Sequence, residues 1–393
     1  MSKPESKAII SGIGQSAVGR RLNVDELELT IDACLAAIAD AGLTPADIDG
    51  IASYPGGMIG GGDGFAGPGT PTVQDALRLQ VNWHQAGPEG PAQLGAIVAA
   101  MGAVANGLAK HVLVYRTVTE ATVQGSKRRA AIGAGASEAV GMLQWMLPFR
   151  AFSSATWFGL YATRYMHEYG MTREQLGQIA VNSRRNAQLN PKAIYRDPMT
   201  IEDYLNARMV CSPFGLYDCD TPCDGSTAVI VSLAEHAPNV DHPIARFEAV
   251  GTALHGRPSW DQWDDITTMA ARDAAAHMWS RTDLKPSDVD IAELYDGFTW
   301  LTVAWLEALN LVPKGEAGPF LEGGQRIALD GELPLNTHGG QLSGGRLHGF
   351  GFVHEAVLQL RGEAGDRQVK SPEIAVVTNG GGPLAGAMLL TKG

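Results

Sequence analysis

A repeat constrains this chain more than any other feature of its sequence. Leu43-Thr44-Pro45-Ala46-Asp47-Ile48-Asp49 returns as Leu284-Lys285-Pro286-Ser287-Asp288-Val289-Asp290, 241 residues later. Each copy follows a helical pattern and enters a strand ending in tyrosine, Tyr54 or Tyr295. Upstream, Ile10-Ser11-Gly12 has a looser echo in Ala249-Val250-Gly251. Downstream, each half passes through a helix to an apolar strand, His111–Tyr115 or Glu373–Val377. One short match arises by chance, but the same element order around both copies predicts a duplicated set of βα units. The first half is expected over 1–125 and 225–235 and the second over 245–393, with an inserted, mainly helical loop domain at 126–224. Strands alternating with helices predict an α/β fold with mainly parallel sheets. Leu27, Ile31, Leu35 and Ile38 share one helical face that stops at Gly42. The small-residue stretch from Pro91 to Gly107 carries few charges and predicts a buried helix.

Composition narrows the function classes. The 393 residues are 45% hydrophobic and 18% charged, enough apolar surface for a large core and too much for disorder. A net charge of −12 argues against nucleic acid or an anionic membrane as the main partner, since both require clustered Lys and Arg. Cys34, Cys211, Cys219 and Cys223 are too few for a disulfide scaffold and lack zinc-site spacing. No apolar run reaches membrane-spanning length, and the opening MSKPESKAIISGIG has no secretory apolar segment. A soluble protein of a reducing, cytoplasmic compartment is expected.

Four stretches hold candidate chemistry. Gly62-Asp63-Gly64-Phe65-Ala66-Gly67 fits the dinucleotide pattern, but Pro68-Gly69-Thr70-Pro71 follows where a helix would have to open on pyrophosphate, so it reads as a loop. Asp218 to Gly225 reads as an ordinary turn-rich entry to the strand Ala228–Val231 rather than a metal site. Asn336 to Gly349 gathers His338, Ser343, Arg346 and His348 among glycines, just before a helical segment. Glycines admit close backbone approach, and a helix start offers unpaired N–H groups to developing negative charge. Thr378-Asn379-Gly380 closes a buried strand, where α/β proteins place ligands, although a tight packing turn explains its glycines equally well. Glu293-Leu294-Tyr295-Asp296 also ends a strand; a tyrosine beside a carboxylate suits proton transfer, and a plain core tyrosine is the alternative.

With the duplicated layout, these motifs resemble the thiolase superfamily, and within it the sterol-carrier or lipid-transfer-protein branch. The resemblance spans the whole chain and implies a layered αβαβα sandwich. The nucleophilic cysteine of thiolases falls on Gly90, in Glu89-Gly90-Pro91-Ala92-Gln93-Leu94; the second cysteine falls on Thr378, and the G-H-P histidine on Arg346. A glycine has no side chain with which to attack, so covalent Claisen chemistry is not expected. Tyr295-Asp296-Gly297-Phe298-Thr299 and Asn336 to Ser343 are similar to motifs of the cysteine-free steroid side-chain aldolases. Their second tyrosine is replaced here by Arg346, although His348-Gly349 is kept.

That resemblance implies retro-aldol cleavage of a β-hydroxyacyl-CoA, with a coenzyme A thioester as substrate and no cofactor bound by the chain. Cleavage needs a base for the β-hydroxyl, donors for the enolate, and an acid to protonate it. Tyr295, tuned by Asp296, is expected as the main acid/base group, with His348 or His338 assisting. Arg346 would stabilise enolate charge, and Gly90 would leave room for a bulky substrate carbon. Ser343, Thr378, Asn379 and Gly380 are further candidates for substrate binding. Arg184 and Arg185 are the guess for the coenzyme phosphates. A homodimer and a small OB-fold partner with a zinc ribbon are implied. The alternatives are an acyltransferase with a non-cysteine site and a non-catalytic lipid- or acyl-CoA-binding subunit.

Overall fold

The two copies of the repeat do the same structural work. In a computed structural model, each opens a 3₁₀ turn, Pro45–Asp47 or Pro286–Asp288. In each turn an aspartate accepts the backbone N–H of the residue before the proline, Thr44 to Asp47 and Lys285 to Asp288, both at 2.8 Å. The last aspartate of each copy then pins the start of a neighbouring strand. Asp49 accepts from the backbone of Lys110 and His111, and Asp290 from that of Glu373 and Ile374. The structure describes residues 3–54, 64–87, 94–126, 143–151, 153–237, 239–254 and 265–393.

The first half supplies β1 (Ala8–Gln15), β2 (Gly50–Ser53), β3 (Trp83–Ala86), β4 (His111–Thr119) and, after a long excursion, β7 (Asp224–Leu233). Helices α4 (Glu120–Ser126), α5 (Leu143–Met146), α6 (Ser154–Tyr169), α7 (Arg173–Gln188) and α8 (Ile201–Leu205) occupy that excursion, with the hairpin β5 (Met209–Cys211)–β6 (Phe214–Gly215). The second half supplies β8 (Ala245–Leu254), β9 (Ile291–Glu293), β10 (Ile374–Gly381) and β11 (Leu384–Lys392). The strand order is β3-β2-β4-β7-β1-β8-β11-β10-β9. Read outward from the β1–β8 junction, both halves run in the same order, which is the duplication expressed in three dimensions.

Pairing differs from the expected parallel sheets. Only β2–β3, β2–β4 and β9–β10 are parallel among the described strands; the inner pairs are antiparallel. The β10–β11 pair shows the reason: consecutive strands joined by a tight turn at Gly382-Pro383 have no room for a crossover and must run antiparallel.

Five layers result. Helices α3 (Gly95–Ala105) and α12 (Phe350–Arg361) lie in the middle, packing Ile97, Ala100, Val104, Val353 and Val357 against strands of both halves. On β4, Val112 and Val114 face this middle layer, while Leu113 and Tyr115 face α1 (Glu26–Asp40) and α2 (Thr70–Leu77), following strand alternation. On β10, Ala375 and Val377 face the middle, and Val376 faces α9 (Ala271–Trp279) and α10 (Thr299–Ala308). The short α11 (Ala317–Leu321) completes the second half.

The buried stripe of α1 keeps Ile38, with Leu27 and Ile31 packed at its edge, but is centred on smaller residues than expected. It runs through Ala33, Cys34 and Ala37, while Leu35 is exposed. Small residues win because α1 presses on β1: a Cβ on Gly12 would collide with the Ala37 carbonyl. Gly251, its counterpart on β8, meets the Ala274 carbonyl of α9 in the same way. Among the described residues no helix is long and apolar enough to cross a membrane.

Candidate active site

The site grows from the end of β9. Asn336 holds the strand's continuation by accepting the Leu294 N–H at 2.7 Å and donating to the Leu294 carbonyl at 2.9 Å. The Thr378 hydroxyl accepts the Tyr295 N–H at 3.0 Å, tying β9 to β10. The loop that follows Asn336 then turns over this platform as a short π-helical turn, Gly340–Gly344.

Asp296 caps that turn. It accepts the Gln341 N–H at 2.8 Å and lies so close that a Cβ on Gly340 would collide with its Oδ2. Burial pushes the Asp296 carboxyl up to about 7, despite the Gln341 and Leu342 N–H groups that favour its charge. Tyr295 is half-buried, and its phenol is raised by desolvation first and by the negative charge of Asp220 second. The Arg346 charge and the Gln341 amide act the other way, whereas Asp296 raises the phenol further. Tyr295 therefore stands protonated, a proton donor, and Asp296 does not ease its ionisation.

His338 donates from Nδ1 to Glu293 Oε2 at 3.0 Å. Glu293 is fully buried, and its other oxygen accepts from the Thr337 N–H and hydroxyl. Burial alone would lower the His338 pKa, but the Glu293 charge more than offsets it, so the imidazole is raised. Its Nε2 faces the bare Gly351. His348 has the opposite environment. Arg116, 0% exposed on β4, points Nη2 at His348 Nδ1 at 2.7 Å. A guanidinium only donates, so Nδ1 accepts and the proton sits on Nε2. Burial, Arg116 and Arg346 keep this histidine well below its usual pKa, hence neutral, and its free ring nitrogen is a donor. Burial also lowers Arg116, to about 10, and the guanidinium lies over the rings of Phe65 and Tyr54.

Arg346 is clamped. Nε and Nη2 bind both oxygens of Glu120 at 3.0 and 2.9 Å, and Nη1 binds Asp220 at 2.9 Å. Although burial disfavours its charge, those two carboxylates raise its pKa. Gln341 connects the parts: its backbone feeds Asp296, its Oε1 accepts the His348 N–H at 2.9 Å, and its amide neighbours the Tyr295 hydroxyl.

The structure thus brings together Tyr295, Asp296, His338, His348 and Arg346 on one locus, with Thr378 and Asn379 beneath them. Asn379 donates to the His348 carbonyl at 3.5 Å, and the Gly380 carbonyl accepts from Trp305. Ser343 is occupied elsewhere, accepting from Arg184 Nε at 3.0 Å. Arg184 is buried between Tyr195 and Tyr217 and donates to the Asp197 carbonyl; Arg185 is held by Asn182 and the Gly324 carbonyl. Those contacts account for both arginines as packing groups of α7. Gly90 lies outside the described residues.

Residues 7–211 match the family described as Thiolase, N-terminal domain, and residues 252–391 the one described as Thiolase C-terminal domain-like. The chain belongs to the thiolase superfamily. Among its thiolase relatives, a steroid side-chain-cleaving aldolase of Thermomonospora curvata is 34% identical over 99% of each chain. The 17-hydroxy-3-oxo-4-pregnene-20-carboxyl-CoA lyase of Mycobacterium tuberculosis is 31% identical over 98% of this chain and 99% of its own. An acetyl-CoA acetyltransferase of Methanothermobacter thermautotrophicus is 32% identical over 95% and 96%. A solved Ltp2-ChsH2(DUF35) aldolase superposes with a TM-score of 0.87 at 33% identity, covering 100% of this chain and 99% of that one.

Several site residues of this thiolase-fold chain escaped the sequence reading. Arg116 carried a signal, a charge directly following the apolar run Val112-Leu113-Val114-Tyr115, which a buried partner would justify. Glu120 and Asp220 had none, because the arginine that recruits them is 226 and 126 residues away. Glu293 and Gln341 sat in quoted motifs without a role, since neither the His338 contact nor the His348 contact is visible in spacing.

Proposed function

We propose that this chain is a carbon–carbon lyase that cleaves a β-hydroxyacyl-CoA by retro-aldol reaction, releasing a ketone or aldehyde and a shorter acyl-CoA. A bulky, steroid-like acyl group is the substrate class favoured by the full-length relatives named for steroid side-chain and pregnene-carboxyl-CoA cleavage. One observation carries the reading: the site assembles hydrogen-bond donors and a protonated phenol beside Thr378, the position on which the second thiolase cysteine falls. Tyr295 protonates the enolate carbon as the acid. His348, with its proton on Nε2, and His338, its pKa raised beside Glu293, hold the thioester oxygen as negative charge develops there. Arg116 fixes the His348 tautomer from behind. Arg346 adds fixed positive charge but cannot transfer a proton.

Acyl transfer is the second reading, because a full-length relative is an acetyltransferase. It needs a nucleophile, and Cys223, the cysteine packed against Gly345 beside Arg346, is fully buried with its thiol raised by desolvation. A buried, protonated thiol does not attack a thioester. Two measurements test the lyase. Tyr295→Phe is expected to lower cleavage by about 10²–10⁴-fold, and an unchanged rate removes the tyrosine from the chemistry. Intact-mass spectrometry during turnover is expected to find unmodified protein; a trapped acyl adduct overturns the retro-aldol reading in favour of transfer.

The solved aldolase of similar chain is described together with ChsH2(DUF35), which supports a second subunit here; the small OB-fold type with a zinc ribbon is the form the family resemblance implies. A homodimer pairing through the sheet fits the edge position of β3.

A further inference from the structure

Retro-aldol cleavage needs a base at the β-hydroxyl, and the groups already described do not provide one. Tyr295 is protonated, His348 presents a donor, His338 is tied to Glu293 through Nδ1 with its Nε2 facing Gly351, and Arg346 only donates. Asp296 spends its oxygens on the turn at Gly340–Gly344. The loop dismissed in the sequence as an ordinary strand entry offers another carboxylate.

That loop is threaded through the site by three backbone hydrogen bonds. The Asp220 N–H donates to the Gly297 carbonyl at 3.1 Å, Thr221 N–H to the Gln341 carbonyl at 3.0 Å, and Arg346 N–H to the Thr221 carbonyl at 2.9 Å. Gly297 lies directly under the Tyr295 ring, where an added Cβ would come within 2.9 Å of the hydroxyl oxygen. The Asp220 backbone and the Tyr295 hydroxyl therefore both lie against Gly297. Arg346 Nη1 fixes Asp220 Oδ1, and Glu120 holds the other edge of the guanidinium, so the carboxylate is oriented by a rigid clamp. Its side chain remains 9% exposed, unlike that of the fully enclosed Glu293. The influence of its charge on the phenol agrees with this proximity.

Resting on the retro-aldol reading, we propose that Asp220 is the base that takes the β-hydroxyl proton, and that it works with Tyr295 as a self-restoring acid–base pair. The balance closes without outside help. The β-hydroxyl proton passes to the Asp220 carboxylate as the oxygen forms a carbonyl. The bond between the α- and β-carbons breaks, and its electron pair becomes the thioester enolate. The α-carbon takes the Tyr295 hydroxyl proton, and the phenolate recovers a proton from the Asp220 carboxylic acid. Arg346 and Glu120 are positioning residues.

The test uses the full chain, under the conditions in which it cleaves a β-hydroxyacyl-CoA. Asp220→Asn is expected to lose about 10²–10⁴-fold in kcat with KM within about threefold, the range for losing a general base. Glu120→Gln, which loosens the same clamp but leaves the base, is expected to lose less than about tenfold. The double variant Asp220→Asn with Tyr295→Phe is expected to be little worse than either single variant, because the two act as one unit. Retention of kcat by Asp220→Asn, or equal losses in Asp220→Asn and Glu120→Gln, overturns the assignment and leaves a structural clamp. Where the Asn variant does not fold, Asp220→Glu decides: it keeps charge and clamp but displaces the oxygens, so kcat should fall at least about tenfold. An unchanged kcat there also overturns it. A wild-type chain that leaves every β-hydroxyacyl-CoA intact sinks the retro-aldol reading instead, and the two failures are thereby distinguished.

Discussion

Replacing Asp296 by Asn should stabilise this protein in alkaline solution and do almost nothing in acid. The native carboxyl is raised from the usual 3.8 to about 7, because burial penalises its charged form. A carboxyl whose folded pKa lies above its unfolded value favours the native state fully below pH ~4 and loses that advantage as pH rises through about 7. Roughly three pH units at ~1.4 kcal/mol each give ~4 kcal/mol against the native state at pH 8. Asn keeps an oxygen for the Gln341 N–H but gives up the long contact from Leu342, at 3.5 Å, a loss of ~1 kcal/mol. The variant is therefore expected to be ~3 kcal/mol more stable than wild type at pH 8, and level with it, or up to ~1 kcal/mol below, at pH 4. Urea unfolding followed by tryptophan fluorescence at both pH values, with reversibility checked, measures this difference. A gap that stays constant between pH 4 and pH 8 would refute the reasoning, since it would mean that Asp296 carries the same charge folded and unfolded.

Two further outcomes follow from the same contacts. Glu293→Gln removes the charge that raises His338, so the imidazole should titrate at lower pH, with burial then dominating; NMR of the ring carbons reads the shift, and an unmoved titration refutes the pairing. Gly340→Ala places a Cβ against Asp296 Oδ2 on a residue with φ of +56°, and should cost about 2–4 kcal/mol in unfolding experiments; a neutral result would mean the turn is not held as described.

The Asp47–Asp49 and Asp288–Asp290 copies show how much of the fold was legible. Their proline turns act through neighbours close in the chain, their last aspartates pin the adjacent strand of the same half, and the glycines that admit α1 and α9 act through a helix packed directly on the strand. Local chemistry of this kind repeats when a sequence repeats. On α1 only Leu35 departs from the expected stripe, because close approach to a glycine-bearing strand places Ala33, Cys34 and Ala37 at its centre. Sheet direction was misjudged because alternating helices and strands suggest crossovers, and β10–β11 is a hairpin.

By itself, the sequence determined the duplication, the absence of a thiol at position 90, and the tyrosine and histidine motifs that gather in the candidate site. Only the tertiary structure decided what those groups can do. His338 and His348 stand ten residues apart in one loop, yet one rests on a buried carboxylate and the other on a buried guanidinium, so their protonation is set in opposite directions. Arg346 is held by Glu120 and Asp220 from distant segments, and the charge of Asp220 acts on the Tyr295 phenol from a loop with no motif. The physical reason is that charge state depends on burial and on the nearest opposite charge, and long-range folding, not spacing along the chain, sets both.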